Sequence, residues 1–249
     1  MYYLIYNYKN KINLNKFLNK TIKIILYYTI CLSCKNLLPI LKDGYCKFCY
    51  YKNFYIGIYH PTKCIAHLNK ENKNLIKEKE IELKDHIVYI SYTSNFKIGI
   101  TSKDNILNRL MDQGAVIAIL LAKTPNRYLA GYIEYICKKL LSDRTNYRKI
   151  FIRTNIKKKS ILSIKNKVST YIINNFIKYS KYLYACNIIY KFKYPILKYI
   201  NKALLLRYKN KKIIYNKLIG IKGQYLIFYD NTIVNFRNLI GHVMDLYIY

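Results

Sequence analysis

The sequence predicts an α+β fold. Its parts are N-terminal strands with a zinc ribbon (1–68), a charged linker (69–85), an α/β middle domain (86–155), and a basic helix leading into a mostly antiparallel β domain (156–249). Three observations predict it. Four cysteines stand in two closely spaced pairs, residues 86–142 alternate between strand-like and helix-like patterns, and beyond Pro195 short apolar runs are separated by turn residues.

The N-terminal part comes first. Residues 2–28 alternate apolar and polar side chains in pieces (Tyr3, Ile5, then Ile22, Ile25, Tyr27), which reads as two strands feeding the cysteine segment. Cys31-Leu-Ser-Cys34 and Cys46-Lys-Phe-Cys49 are separated by eleven residues. Two thiolates three positions apart can bend around one tetrahedral ion, and two such knuckles close a four-sulfur shell. Asp43-Gly44 supplies a tight turn before the second knuckle. The expectation is structural zinc on Cys31, Cys34, Cys46 and Cys49, stapling a module too small to hold a core of its own. Seven cysteines, an odd number, argue against a disulfide framework. A looser set, His60, Cys64, His67 and His86, has suitable ligand types without paired knuckles. Residues 69–85 then mix lysine and glutamate and hold five of the twelve acids, the pattern of a solvated connector.

The middle part begins at His86. His86–Ser91 reads as a strand, 92–95 as a polar turn, and Phe96–Thr101 as the returning strand of a hairpin. Ser102 and Asp104 offer caps for a short helix at 105–112, with Gly114 as its stop. Ala115–Ala122 is a continuous apolar run that fits a buried strand. A second helix opens at Pro125 or Arg127 and runs to about Ser142, with Leu129, Tyr132, Ile133, Ile136 and Leu140 on one face. Glu134 falls off that face. It reads either as a surface partner for Lys138 or as a metal ligand.

In the last part, 160–180 reads as helix, and strands follow at 203–208, 212–221, 224–229, 232–236 and 242–248. Residues 144–229 hold 21 Lys+Arg and no Asp or Glu, with Lys157, Lys158 and Lys159 the densest run. Such a face would track a phosphate backbone, and the interleaved tyrosines could stack on unpaired bases.

The whole chain carries 44 Lys+Arg against 12 Asp+Glu, a net +32. Lys, Ile, Asn and Tyr together make 134 of 249 residues, and all four have A/T-rich codons, so base composition contributes to that figure. A 52% hydrophobic content excludes a disordered polycation. The longest apolar run, about eight residues, is far short of the ~18 a membrane helix needs. No charged segment followed by an apolar stretch opens the chain, so a cytoplasmic protein without a membrane partner is expected.

Several strings carry a resemblance. Ile12–Asn15, the two knuckles with Gly44-Tyr45, Lys97–Thr101, Asp112-Gln-Gly-Ala115, Asn126-Arg127, Ala130-Gly131, Glu134, Asp143–Asn146 and Ile221–Phe228 together resemble the bacterial domain of unknown function 2797 family, nearly end to end. Within it, Ile87-Val-Tyr89, Lys97-Ile-Gly99, Arg109, Glu134 and Asn146 resemble the ordered pattern of GIY-YIG endonucleases. That resemblance implies a GIY-YIG-like middle domain that hydrolyses phosphodiesters. In it Glu134 would hold Mg²⁺, Arg109 would stabilise transition-state charge, Tyr89 would lie near the attacking water, and Asn146 would orient groups near the metal. Lys97 stands where the second motif has tyrosine and Ile87 where the first has glycine, and a lysine can supply charge but not a phenol's proton chemistry. The readings are therefore a zinc-ribbon nucleic-acid-binding protein with Mg²⁺-dependent endonuclease activity, a non-catalytic RNA or DNA binder on the same scaffold, or a protein-interaction module whose charge reflects base composition.

Overall fold

A computed structural model of the chain describes residues 3–6, 10–53, 82–142, 146–206 and 213–249. The chain divides into two compact units. The first draws on residues 1–53, 151–153 and 193–249, the second on 54–150 and 154–192.

The first unit is built on β1 (Tyr3–Tyr6), β2 (Asn10–Asn13), β3 (Thr21–Thr29), β4 (Ile40–Lys42), β5 (Tyr45–Cys46) and helix α1 (Lys47–Asn53). The second contributes β6 (His86–Tyr92), β7 (Phe96–Ser102), α2 (Ile106–Asp112), β8 (Ile117–Thr124), α3 (Arg127–Cys137), α4 (Lys158–Asn175) and β9 (Ile189–Lys191). The chain then returns to the first unit as β10 (Leu204–Leu205), β11 (Ile213–Lys222), β12 (Tyr225–Phe228), β13 (Thr232–Asn235) and β14 (His242–Ile248).

In the first unit, among the described residues, a six-stranded sheet runs β10-β13-β12-β11-β3-β14. Its pairings are antiparallel except that of β10 with β13, which is parallel. Strand β3 alternates strictly: Ile22, Ile24 and Leu26 are buried with Ile214, Leu218, Leu226, Phe228 and Val234, while Lys23, Ile25 and Tyr27 point to the other face. Segments expected in separate parts thus share one sheet, because β3 from near the N-terminus lies between β11 and β14 from the C-terminal third.

In the second unit the sheet order is β7-β6-β8-β9, with antiparallel pairing throughout. Strand β6 is buried along almost its whole length, as a strand covered on both faces should be. Val88 and Ile90 pack with Ala130, Ile133 and Ile136 of α3 and with Ile161, Val168 and Ile172 of α4. Ile87 and Tyr89 pack on the opposite face with Leu110 of α2. The expected hairpin, helix, strand and helix are all present. Some bounds differ. Helix α3 ends at Cys137, and the segment expected to continue it to 142 turns so that Ser142 O accepts from Ile98 N at 3.1 Å. A 3-10 turn (Lys103–Asn105) precedes α2, and Ser102 makes no side-chain capping bond. Asn126 caps α3 by accepting from Leu129 N at 2.9 Å. Among the described residues, no helix is long and apolar enough to cross a membrane.

Candidate functional site

The first candidate is the four-cysteine cluster of the first unit. Strand β3 leads directly into Cys31, and the β4–β5 hairpin carries Cys46, with Cys49 one helical turn on in α1. The hairpin turn is Asp43-Gly44, both at positive φ (51° and 83°), as a two-residue turn of this kind demands. A Cβ on Gly44 would stand 2.5 Å from Leu32 Cδ1, and its φ of 83° is one that side chains rarely adopt, so the turn favours glycine. Asp43 is anchored by Arg237 Nε at 2.7 Å. Leu32 N donates to Gly44 O and Ile30 N to Gly241 O, tying the first knuckle to the hairpin and to the start of β14.

The four Sγ atoms lie within 4.8 Å of one another. Tetrahedral zinc with Zn–S bonds near 2.3 Å would set them about 3.8 Å apart, so the donor set fits one ion. Cys31, Cys46 and Cys49 are buried, with Ile40 and Tyr45 packed against them, and Cys34 is at the rim. Cys46 N donates to Cys31 Sγ at 3.3 Å. Burial pushes the Cys31 thiol up, but backbone N–H groups of Cys46, Cys34 and Ser33 outweigh it and bring it down to about 6. Burial pushes Cys49 up to about 11. A thiol set with one member already disposed to ionise suits a metal, which takes thiolates. These four cysteines form a cluster able to coordinate a metal ion, consistent with structural zinc.

Of the looser set, His60, Cys64 and His67 lie outside the described residues. His86 is a strand residue, 1% exposed, with Nδ1 2.8 Å from Lys84 O. Burial lowers its pKa.

The second candidate is in the second unit. Tyr89 on β6 is wholly buried, and its hydroxyl donates to Gln113 Oε1 at 3.1 Å. Its register partner is Gly99 on β7. The charges of Arg109, from α2, and of Glu134, from α3, both act on the same hydroxyl. Burial raises the Tyr89 pKa and Glu134 raises it further, while Arg109 and Gln113 pull it down. Charged groups from two further elements thus bear on Tyr89. Arg109 is exposed and Glu134 half-buried, so polar groups lead from solvent to a buried phenol.

Lys97 lies on the same sheet face, opposite Ser91, and is 5% exposed. Asn146 is placed differently. Its N donates to Ser94 Oγ at the tip of the β6–β7 hairpin, and its Oδ1 accepts from Arg148 N, capping the turn that follows. Ser91, unmarked by sequence reasoning, is wholly buried beside Lys97, and its Oγ has no hydrogen-bond partner among the described residues. The signal in the sequence is a hydroxyl inside an otherwise apolar central strand. In the sequence Gln113 reads chiefly as part of a helix stop, and its link to Tyr89 spans 24 residues.

Lys157, Lys158 and Lys159 are all exposed at the start of the 18-residue helix α4. Lys157 makes no capping bond and no acid occupies the first turn.

Among known proteins, a family model described as "Protein of unknown function (DUF2797)" matches residues 19–244. No curated protein and no solved structure matches the chain.

Proposed function

This chain belongs to the DUF2797 family, and we propose that it is a nucleic-acid-binding protein stapled by a four-cysteine zinc ribbon. The observation that carries this reading is the lysine triplet at the head of α4. A helix N-terminus already carries about half a positive charge, and acids, not lysines, stabilise it. Three exposed lysines there, with no acid in the first turn, leave a concentration of positive charge that a phosphate group would relieve. The same segment lies in the stretch 144–229, which has 21 basic residues and no acid. Binding of a short duplex and of a single strand, followed from low to moderate salt, tests it.

A second observation favours a catalytic form of this reading. The charges of Arg109 and Glu134 both act on the buried Tyr89 hydroxyl, which supports reading these three residues as the centre of a phosphodiester hydrolase of the kind the GIY-YIG resemblance implies. Mg²⁺ is commonly held by one or two carboxylates completed by phosphate oxygens, and a half-buried Glu134 fits that role. Bound there, the ion would supply positive charge to a phosphate group. Arg109, which is exposed, would neutralise charge building on the non-bridging oxygens. Tyr89, its pKa raised, stays protonated at neutral pH and acts as a hydrogen-bond donor, with Gln113 holding its hydroxyl in place. Lys97 adds positive charge on the same sheet face. Asn146, engaged in its own turn, would need to release Arg148 N before orienting a substrate. Cleavage of a labelled oligonucleotide in Mg²⁺ by wild type but not by Glu134→Gln supports hydrolysis. Equal cleavage by both removes Glu134 from the chemistry, and binding without cleavage leaves the non-catalytic binder.

A further inference from the structure

The six-stranded sheet of the first unit has one face in the core and another that is open on three adjacent strands. On β11, β3 and β14 the register is Tyr215, Lys23 and Tyr247 in one row. Lys217 faces Thr21 in the next row, and Tyr249 N donates to Thr21 O beside it. Tyr27 lies further along β3 on the same face, its hydroxyl donating to Asp245 Oδ2 at 2.6 Å. Tyr215 is 64% exposed, Tyr249 63%, Tyr27 49% and Tyr247 45%. The rings are organised: Tyr215 and Tyr249 meet edge to face at 6.0 Å, and Lys23 Nζ stands 5.8 Å from the Tyr247 ring centre.

A contiguous aromatic surface of this kind on a folded domain marks a binding face. What covers it is decided by its chemistry. The described residues of the unit hold 15 Lys+Arg against three Asp+Glu, a net +12. Asp245, the acid on this face, accepts from the hydroxyls of both Tyr27 and Tyr247. Rings that stand open beside lysines, with the local carboxylate already engaged, match a partner with flat π-faces and a negative backbone. Alternate residues along a strand are about 6.8 Å apart and neighbouring strands about 4.8 Å apart. Rows at this spacing can take successive unstacked bases, as aromatic sheet platforms do.

We infer that the open face of β11, β3 and β14, carrying Tyr27, Tyr215, Tyr247 and Tyr249 with Lys23 and Lys217, is a stacking platform for unpaired bases of a single-stranded nucleic acid. This deepens the nucleic-acid reading above and rests on it. It adds a site remote in sequence from Lys157–Lys159, one that reads base faces rather than phosphates.

The test uses the zinc-loaded full chain with 15-residue oligo(U) and oligo(dT), and with a duplex of equal length. Each stacked base contributes about 1–3 kcal/mol, so the Tyr215→Leu/Tyr247→Leu double variant should bind single strands at least 10-fold more weakly. Duplex binding and the dependence on salt should change little. Photo-crosslinking of wild type to oligo(U) carrying 5-iodouracil checks the site without any substitution, and adducts should fall on these tyrosines. Wild-type binding with adducts elsewhere, or a folded double variant that binds as tightly as wild type, overturns the platform and leaves the nucleic-acid reading standing. No wild-type binding to any probe overturns both. If the double substitution lowers the mass of a self-associating chain and leaves oligonucleotide binding intact, the face joins copies of the chain and the platform is overturned.

Discussion

The hydroxyl of Tyr89 lies against the α-carbon of Gly99: a Cβ on Gly99 would stand 2.7 Å from the phenol oxygen and 2.8 Å from Cζ. The ring cannot swing away freely, because it is wholly buried and its hydroxyl is held by Gln113. Gly99 therefore acts as the seat that lets a large side chain lie flat on the neighbouring strand, a common reason for glycine inside a strand. Gly99→Ala should overpack this seat and destabilise the second unit by about 1–3 kcal/mol. Urea unfolding measures it, and a stability equal to wild type would contradict so close a contact.

The four-cysteine cluster should carry one zinc per chain. Zinc-dependent peptide folding rests on binding energies of about 10 kcal/mol or more at neutral pH. Stripping the metal with a strong chelator, or Cys31→Ser, should therefore abolish cooperative unfolding of the ribbon segment. Cys186→Ser, at an exposed thiol outside the cluster, should leave zinc content unchanged. Metal-free protein with an undiminished unfolding transition would contradict a structural role.

Lys222 gives a pH signature. Burial pushes its ammonium group down to about 8, and Nζ stands 5.5 Å from the Tyr194 ring centre. In the unfolded chain a lysine titrates near 10.4. Between about 8 and about 10.4 the unfolded state holds the Lys222 proton and the folded state does not, so the contribution of Lys222 to stability should rise with pH across that window. Below about 8 both states are charged and the burial penalty is fully present. Lys222→Met should remove that contribution, so the difference in stability between wild type and variant should change with pH between about 8 and about 10.4 and stay constant below it. Parallel stability-against-pH profiles for the two proteins would refute this.

Lys165 differs from the surface lysines around it. It is 4% exposed, and its Nζ donates to Tyr184 O, Cys186 O and Asn187 Oδ1 at 2.9–3.0 Å. Burial lowers its pKa. Lys165→Met would leave these acceptors without their donor and should cost about 2 kcal/mol or more. Lys167→Met, two positions on and exposed, should stay within about 0.5 kcal/mol of wild type. Thermal unfolding of the two variants side by side separates them.

The parts legible in the sequence are those whose signal is local. The zinc knuckles declare themselves because ligand spacing and the Asp43-Gly44 turn lie within nineteen residues, Cys31–Cys49. The β6–β7 hairpin shows in its apolar runs and polar turn, and the strand β14 falls where it was expected, at His242–Ile248. Two features were not legible. The pairing of β3 with β11 joins Ile25 to Ile213, and no pattern within either strand names so distant a partner. Lys165 is equally silent, because one lysine among 37 has nothing in its neighbourhood to mark it as buried. Of the candidate site, the residue types were readable on Tyr89, Arg109 and Glu134. The link of Gln113 to Tyr89 and the burial of Ser91 depend on side-chain packing across the sheet and on the start of the loop after α2.

The salt dependence of nucleic-acid affinity tests the nucleic-acid reading most directly. Apparent Kd for a 15-residue single strand should rise steeply and linearly, on logarithmic axes, as salt increases. Replacing Lys157, Lys158 and Lys159 with Gln should reduce the slope by about 2, the value for three phosphate contacts on a single strand. Affinity that does not change with salt, or a slope identical in the triple variant, would contradict phosphate recognition at the head of α4.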